Sequence, residues 1–246
     1  MCFRQRQSLW LVTMETQSLA ADGRCAVIIP AFNEADIVGE VVKSILRTEN
    51  IAVWVIDDHS TDKTADTARS AGARVICLPE QLGAWGAAQA GMREALRLQL
   101  NCVVTMDADG QHDPVYISDM IKPILNGGAD VVIGSCPERG SSLRKLAWFL
   151  MRLTSGLKNR DLTSGYRALN QRAIELLSSP SASQLEFQDV GVLLMLERAG
   201  LRVLEQDVTM PDRANGKSKI FRSWAVVAYY MAQTLLLGVV KRRLRR

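Results

Sequence analysis

Apolar residues in this chain come in short runs separated by polar stretches of helical length. The segments 25–30, 51–56, 74–78, 102–106 and 130–133 are rich in Val, Ile and Cys and bounded by turn-forming residues, so they read as strands. Between them the apolar period lengthens. Val38, Val41, Val42, Ile45 and Leu46 share one face of a helix predicted over 34–47. Further helices are expected from the cap oxygens of Ser60, Thr61 and Asp62 to Gly72, over 86–98, and over 114–125 with Asp113 as N-cap and Pro114 at the first position. Repeated βα units with near-continuous apolar strands predict an α/β fold, Rossmann-like, with a mainly parallel sheet covered by helices on both faces. The second half is less regular. Residues 143–153 form a basic amphipathic stretch after a Pro/Gly/Ser loop, 161–169 return towards the sheet, 186–199 look helical and 201–208 look like a strand.

A chain of 246 residues that is 48% hydrophobic can bury one large core, which favours one domain over 25–220. Residues 1–24 read as an N-terminal extension, since the patch Leu9-Trp10-Leu11-Val12 is too brief for a signal peptide. At the other end, 224–240 is apolar, carries Tyr229 and Tyr230, and is followed by Lys241, Arg242, Arg243, Arg245 and Arg246. Those five residues outweigh the formal net charge of +4, so the body is close to neutral. A neutral body with a basic tail argues against a nucleic-acid partner and for a membrane surface, with 221–246 as an amphipathic, in-plane helix; a core helix or a true span are the other readings. The five cysteines are scattered without a C-x-x-C pair and read as buried thiols of a reducing compartment.

The chemistry gathers where predicted strands end. The run 102–106 stops at Asp107-Ala108-Asp109, whose alternate carboxylates can converge on a hard cation such as Mg²⁺ or Mn²⁺, although the same spacing also suits a plain polar turn. Pro30 to Glu34 and Asp57 to Asp62 lie at the ends of two other strands, and in a parallel sheet these ends share one crevice.

These segments resemble the inverting family 2 glycosyltransferases, above all the dolichyl- or polyprenyl-phosphate mannose and glucose synthases. The likeness rests on Val27-Ile28-Ile29-Pro30-Ala31-Phe32-Asn33-Glu34, Val55-Ile56-Asp57-Asp58-His59-Ser60-Thr61-Asp62 and Asp107-Ala108-Asp109-Gly110-Gln111-His112-Asp113-Pro114, in family order and spacing. It implies a GT-A fold, and a nucleotide-sugar donor held by Pro30, Phe32, Glu34, Asp57 and above all Asp58. A divalent ion would sit at Asp107, Asp109 and Gln111. The segment Arg213-Ala214-Asn215-Gly216-Lys217-Ser218-Lys219 would clamp the diphosphate through Arg213, Ser218 and Lys219. A lipid-phosphate acceptor would meet Arg167, which otherwise pairs with a carboxylate, with Arg139 or Arg144 standing in for an Arg the family offers where Cys136 is found. A helix Glu common in relatives is replaced by Gly191, which leaves Asp189 or Glu186 as substitutes for a base. Trp85, where the family favours Lys, packs either on nucleotide or on protein; His112 is a loop residue or a third ion or phosphate contact. The implied enzyme sits on the cytoplasmic face of a membrane, in an oligomeric state the sequence leaves open. Two rivals stand beside it: transfer to a sugar hydroxyl, which needs a base, and an inactive nucleotide-binding scaffold.

Overall fold

The computed structural model describes residues 25–139, 142–185 and 189–210. Its first half follows the apolar pattern. Strand β1 (Cys25–Ala31) is parallel to β2 (Ala52–Asp57), which pairs with β3 (Arg74–Cys77) at one edge, while β4 (Cys102–Thr105) lies on the other side of β1. Strand β5 (Val131–Ser135) is parallel to β7 (Val203–Asp207), and the short β6 (Arg167–Asn170) runs antiparallel between β4 and β5. The seven strands take the order β3-β2-β1-β4-β6-β5-β7. The sheet is thus mainly parallel, as expected, with one reversed strand that the pattern did not announce.

Alternate residues of β1 feed two cores. Cys25, Val27 and Ile29 pack under α1 (Val38–Thr48), α2 (Thr64–Ser70) and α4 (Ile117–Leu125). Ala26 and Ile28 pack under α3 (Gly83–Arg97), α5 (Ser142–Ser155), α6 (Gln171–Leu177), α7 (Pro180–Ser183) and α8 (Val190–Arg198). Each long helix turns one apolar face inward, as Val38, Val41, Val42 and Ile45 do on α1. Gly91 lets α3 approach the sheet closely, since a Cβ there would lie 2.6 Å from Ile28 Cγ2 and 3.1 Å from Ile56 Cγ1.

Helix starts differ from the sequence reading. Helix α1 begins at Val38, after a loop, and the stretch beginning at Pro114 opens with a 3-10 turn (Pro114–Tyr116), capped by the Asp113 side chain, which accepts from the Val115 N–H. Far from the strand ends that carry the chemistry, buried Asp130 braces β5, β6 and β7. Its carboxylate accepts from Asn170 Nδ2 at 2.7 Å and from the Arg202 backbone N–H at 2.8 Å.

Candidate active site

The loops after β1 and β2 are stitched into one wall. Asn33 adopts a left-handed φ of 52°, its N–H donates to Ser60 Oγ at 2.9 Å, and its side-chain oxygen accepts from the Thr61 N–H at 2.8 Å. The Glu34 N–H donates to Thr64 Oγ1 at 2.8 Å and the Ala35 N–H to Asp62 Oδ2 at 3.2 Å. Asp62 also binds the Thr64 hydroxyl. Partial burial pushes the Asp62 carboxyl up, but the Thr64 and Ala35 donors outweigh it and hold the group below its ordinary value. So Ser60 and Asp62 link two loops, and the helix begins later than expected, at Thr64, whose N–H donates to Asp62 Oδ1 at 2.9 Å, while Pro30, Phe32 and Glu34 stay partly exposed along the wall.

Asp58 has a different role from the one expected. Its two carboxylate oxygens accept the N–H groups of Leu82, at 2.7 Å, and Gly83, at 2.9 Å, and the residue is only 2% exposed. It therefore caps α3 from outside the helix, which is why that helix starts three residues before Gly86; Gly83, at φ 77°, supplies the turn. Its neighbour Asp57 is 5% exposed, and its Oδ1 has no hydrogen-bond partner among the described residues. The unsatisfied acceptor is on Asp57.

The turn after β4 carries the ion candidates. The Asp107 side chain is 41% exposed and Asp109 is partly exposed. Gly110, at φ 74°, reverses the chain, and the Gln111 N–H donates to Asp109 Oδ1 at 3.1 Å. Gln111 itself is buried. His112, read from sequence chiefly as a loop residue, is buried too. Its Nδ1 accepts from the Asp107 N–H at 3.0 Å, and its Nε2 lies 3.7 Å from Asp107 Oδ2. Its ring stacks on Tyr166 with centroids 4.9 Å apart and planes 15° apart. Tyr166 is fully buried and donates its hydroxyl to the Asp113 carbonyl at 3.0 Å; burial and then the neighbouring carboxylates push that phenol well above its ordinary pKa. No local pattern marks this stack, because Tyr166 comes from the far side of the β6 reversal.

Two carboxylates on a tight turn offer hard oxygens, and no group of three His, Cys, Asp or Glu suited to a metal occurs among the described residues. Such a pair fits Mg²⁺ or Mn²⁺, which keep water and substrate oxygens as their other ligands.

Arg167 is not at the surface. It is 2% exposed, and its Nε donates to the Ser164 carbonyl at 2.9 Å inside the β4–β6–β5 seam. Asp189 caps α8 by accepting from the Gly191 N–H at 3.3 Å. Trp85 packs on protein, its indole N–H donating to the Ala182 carbonyl at 3.0 Å. Arg213, Ser218, Lys219 and Glu186, the side chains of Arg139 and Arg144, and the expected helix at 221–246 all lie outside the described residues. No helix among the described residues is long and apolar enough to cross a membrane.

With this geometry in hand, likeness to known proteins is informative. The family model for glycosyl transferase family 2 matches residues 26–176. The chain is 31% identical over 219 residues to an undecaprenyl-phosphate mannosyltransferase of Micrococcus luteus, covering 80% of this chain and 87% of that one. It is 28% identical over 185 residues to a UDP-N-acetylglucosamine–dolichyl-phosphate N-acetylglucosaminyltransferase of Methanococcus voltae, covering 64% and 74%. Its fold matches a crystal structure of Mycobacterium tuberculosis glucosyl-3-phosphoglycerate synthase, in complex with Mn²⁺, UDP-glucose and phosphoglyceric acid, with a TM-score of 0.70 at 22% identity over 93% of this chain and 83% of that one. The sheet order, the carboxylate turn and these matches agree: the chain belongs to glycosyl transferase family 2 and is a hexosyltransferase of the GT-A fold.

Proposed function

We propose that the protein transfers a hexose from a nucleoside-diphosphate sugar to a polyprenyl phosphate, with inversion at the anomeric carbon. The observation that carries this is the partly exposed Asp107–Asp109 turn at the end of β4, beside the stitched loops of β1 and β2. In an open α/β sheet the crevice outside these strand ends takes the ligand. The acceptor class follows the two relatives, whose names give undecaprenyl and dolichyl phosphate.

The residues divide the task. Phe32 offers a face to the base, and Glu34 and Asp57 accept hydrogen bonds from the nucleoside, while Asp58 acts through α3. Asp107 and Asp109, together with Gln111, would hold the divalent ion. A bound Mg²⁺ or Mn²⁺ neutralises charge on the departing diphosphate. Arg213, Ser218 and Lys219 grip the phosphates, the Arg as a fork and the Lys as a point charge. Arg139 or Arg144 is the candidate partner of the acceptor phosphate. That acceptor is ionised at neutral pH, so attack from the side opposite the leaving group needs no strong base, in keeping with an Asp189 engaged as a helix cap.

Helix α5 supports a membrane-facing site. Phe149 and Leu153, one turn apart, are 56% and 60% exposed, and Arg152 stands between them in sequence. Together with the basic 221–246 segment, this face would rest on the anionic cytoplasmic leaflet, with 25–220 as the catalytic domain.

Thermal unfolding with UDP, GDP, UDP-N-acetylglucosamine, UDP-glucose and GDP-mannose, each with and without Mn²⁺, tests the donor half. A hundredfold excess over Kd adds about 2.7 kcal/mol, or roughly 5–10 °C for a domain of this size. The shift should need Mn²⁺ and vanish in Asp109→Asn. The matching donor should then yield glycosylated polyprenyl phosphate in vesicles. No shift with any nucleotide would defeat the proposal.

A further inference from the structure

We propose that His112 is the positioning residue for Asp107, holding the ion-binding carboxylate by its backbone as well as its side chain. The inference rests on the reading of Asp107 as an ion ligand.

His112 Nδ1 accepts the Asp107 N–H at 3.0 Å, so it carries no proton, and the hydrogen of the neutral ring is on Nε2. That Nε2–H faces Asp107 Oδ2 at 3.7 Å, beyond hydrogen-bond length. Of these two contacts to Asp107, the stronger is to the main chain. It closes the Asp107–His112 turn into a ring and fixes the direction in which the Asp107 Cα–Cβ bond leaves the backbone. The weaker Nε2 dipole biases the carboxylate while leaving it free to rotate onto an ion.

The histidine is itself held from behind. Its ring is 4% exposed and stacks on Tyr166, whose hydroxyl is tied to the Asp113 carbonyl. Behind Tyr166 stands Gly134 of β5, where a Cβ would come within 2.9 Å of the Tyr166 ring. Gly134 of β5, Tyr166 just before β6, and His112 and Asp107 on the turn after β4 thus form one packed row. Supporting groups of this kind commonly change metal affinity 10- to 100-fold.

Three variants separate the contacts, each in the full chain. His112→Asn keeps an oxygen near the Nδ1 position and loses the Nε2–H; His112→Phe keeps the stacking ring and loses both polar contacts; Asp107→Asn tests the underlying reading. Mn²⁺ affinity, measured by electron paramagnetic resonance with UDP and with GDP, is read beside the thermal midpoint. We expect His112→Phe to weaken Mn²⁺ about 10- to 100-fold and His112→Asn to stay within about threefold of wild type, both with midpoints close to wild type. Equal affinity in wild type and His112→Phe, with binding lost in Asp107→Asn, overturns the role of His112 and leaves the ion site intact. A His112→Asn as weak as His112→Phe also overturns it, because the backbone contact would then not be what matters. Unchanged Mn²⁺ affinity in Asp107→Asn removes the ion site and the inference together.

Discussion

Asp57 and Asp58 are neighbours with opposite work, and mutation should separate them. Asp58→Ala takes away the buried carboxylate that the N–H groups of Leu82 and Gly83, themselves on the exposed start of α3, donate to, a loss of about 1–2 kcal/mol that urea denaturation would measure. Asp57→Asn should leave stability little changed, because Oδ1 gives up no hydrogen bond, yet weaken donor binding in the thermal-shift assay. Local sequence cannot tell these roles apart: both carboxylates end the same strand, and what distinguishes them is the start of a helix 24 residues away. His112 is hidden for the same reason, since its burial depends on Tyr166. The burial of Arg167 is hidden in the same way, since it depends on the seam that β6 closes between β4 and β5. By contrast, the position of Asp107 and Asp109 on a turn just after β4 was readable, because the apolar run before them stops abruptly.

Helix α3 shows how one element serves both core and site. It packs on β1 and β2 through Gly91 and delivers the Leu82 and Gly83 N–H groups to Asp58. Gly91→Ala would improve helix propensity, but the new methyl meets Ile28 and Ile56 in a filled core. The expected result is a net loss of about 1–3 kcal/mol on chemical denaturation, with weaker nucleotide binding as the start of α3 shifts away from β2. The helices and the first four strands were legible because their apolar faces keep a clean period. Their starts were less so: α1 and α2 begin without a side-chain cap, and α3 begins where the distant Asp58 carboxylate accepts the Leu82 and Gly83 N–H groups. The four-residue β6, with Arg167 and Asn170 at its ends, carries no alternating pattern at all.

For the molecule as a whole, the far half of the sheet hangs on Asp130. Burial alone would raise its pKa, but the Arg202 N–H, the Asn170 amide and the Arg202 guanidinium together hold it below the ordinary carboxylate value. A depressed carboxyl adds stability that is fully present above the unfolded-state pKa, near 3.9, and is lost as pH falls from there through the folded value. Asp130→Asn should therefore lower stability at pH 7 and flatten the acid limb of a stability–pH curve below about pH 5, with the two curves converging at low pH. The general architecture could be anticipated from alternating strands and helices, whereas the order of the strands could not, because β6 is inserted out of sequence. That insertion also sets a clock on biosynthesis. Strand β4 is made early, but its partner on the open side, β6, is translated roughly 60 residues later, which at 5–20 residues per second leaves the apolar edge Cys102–Thr105 uncovered for about 3–12 s. Throughout that interval the nascent chain presents a ready template for strand-to-strand aggregation. A ribosome paused before codon 167 would expose this edge to chaperones, and only the arrival of Tyr166 and β6 seals it.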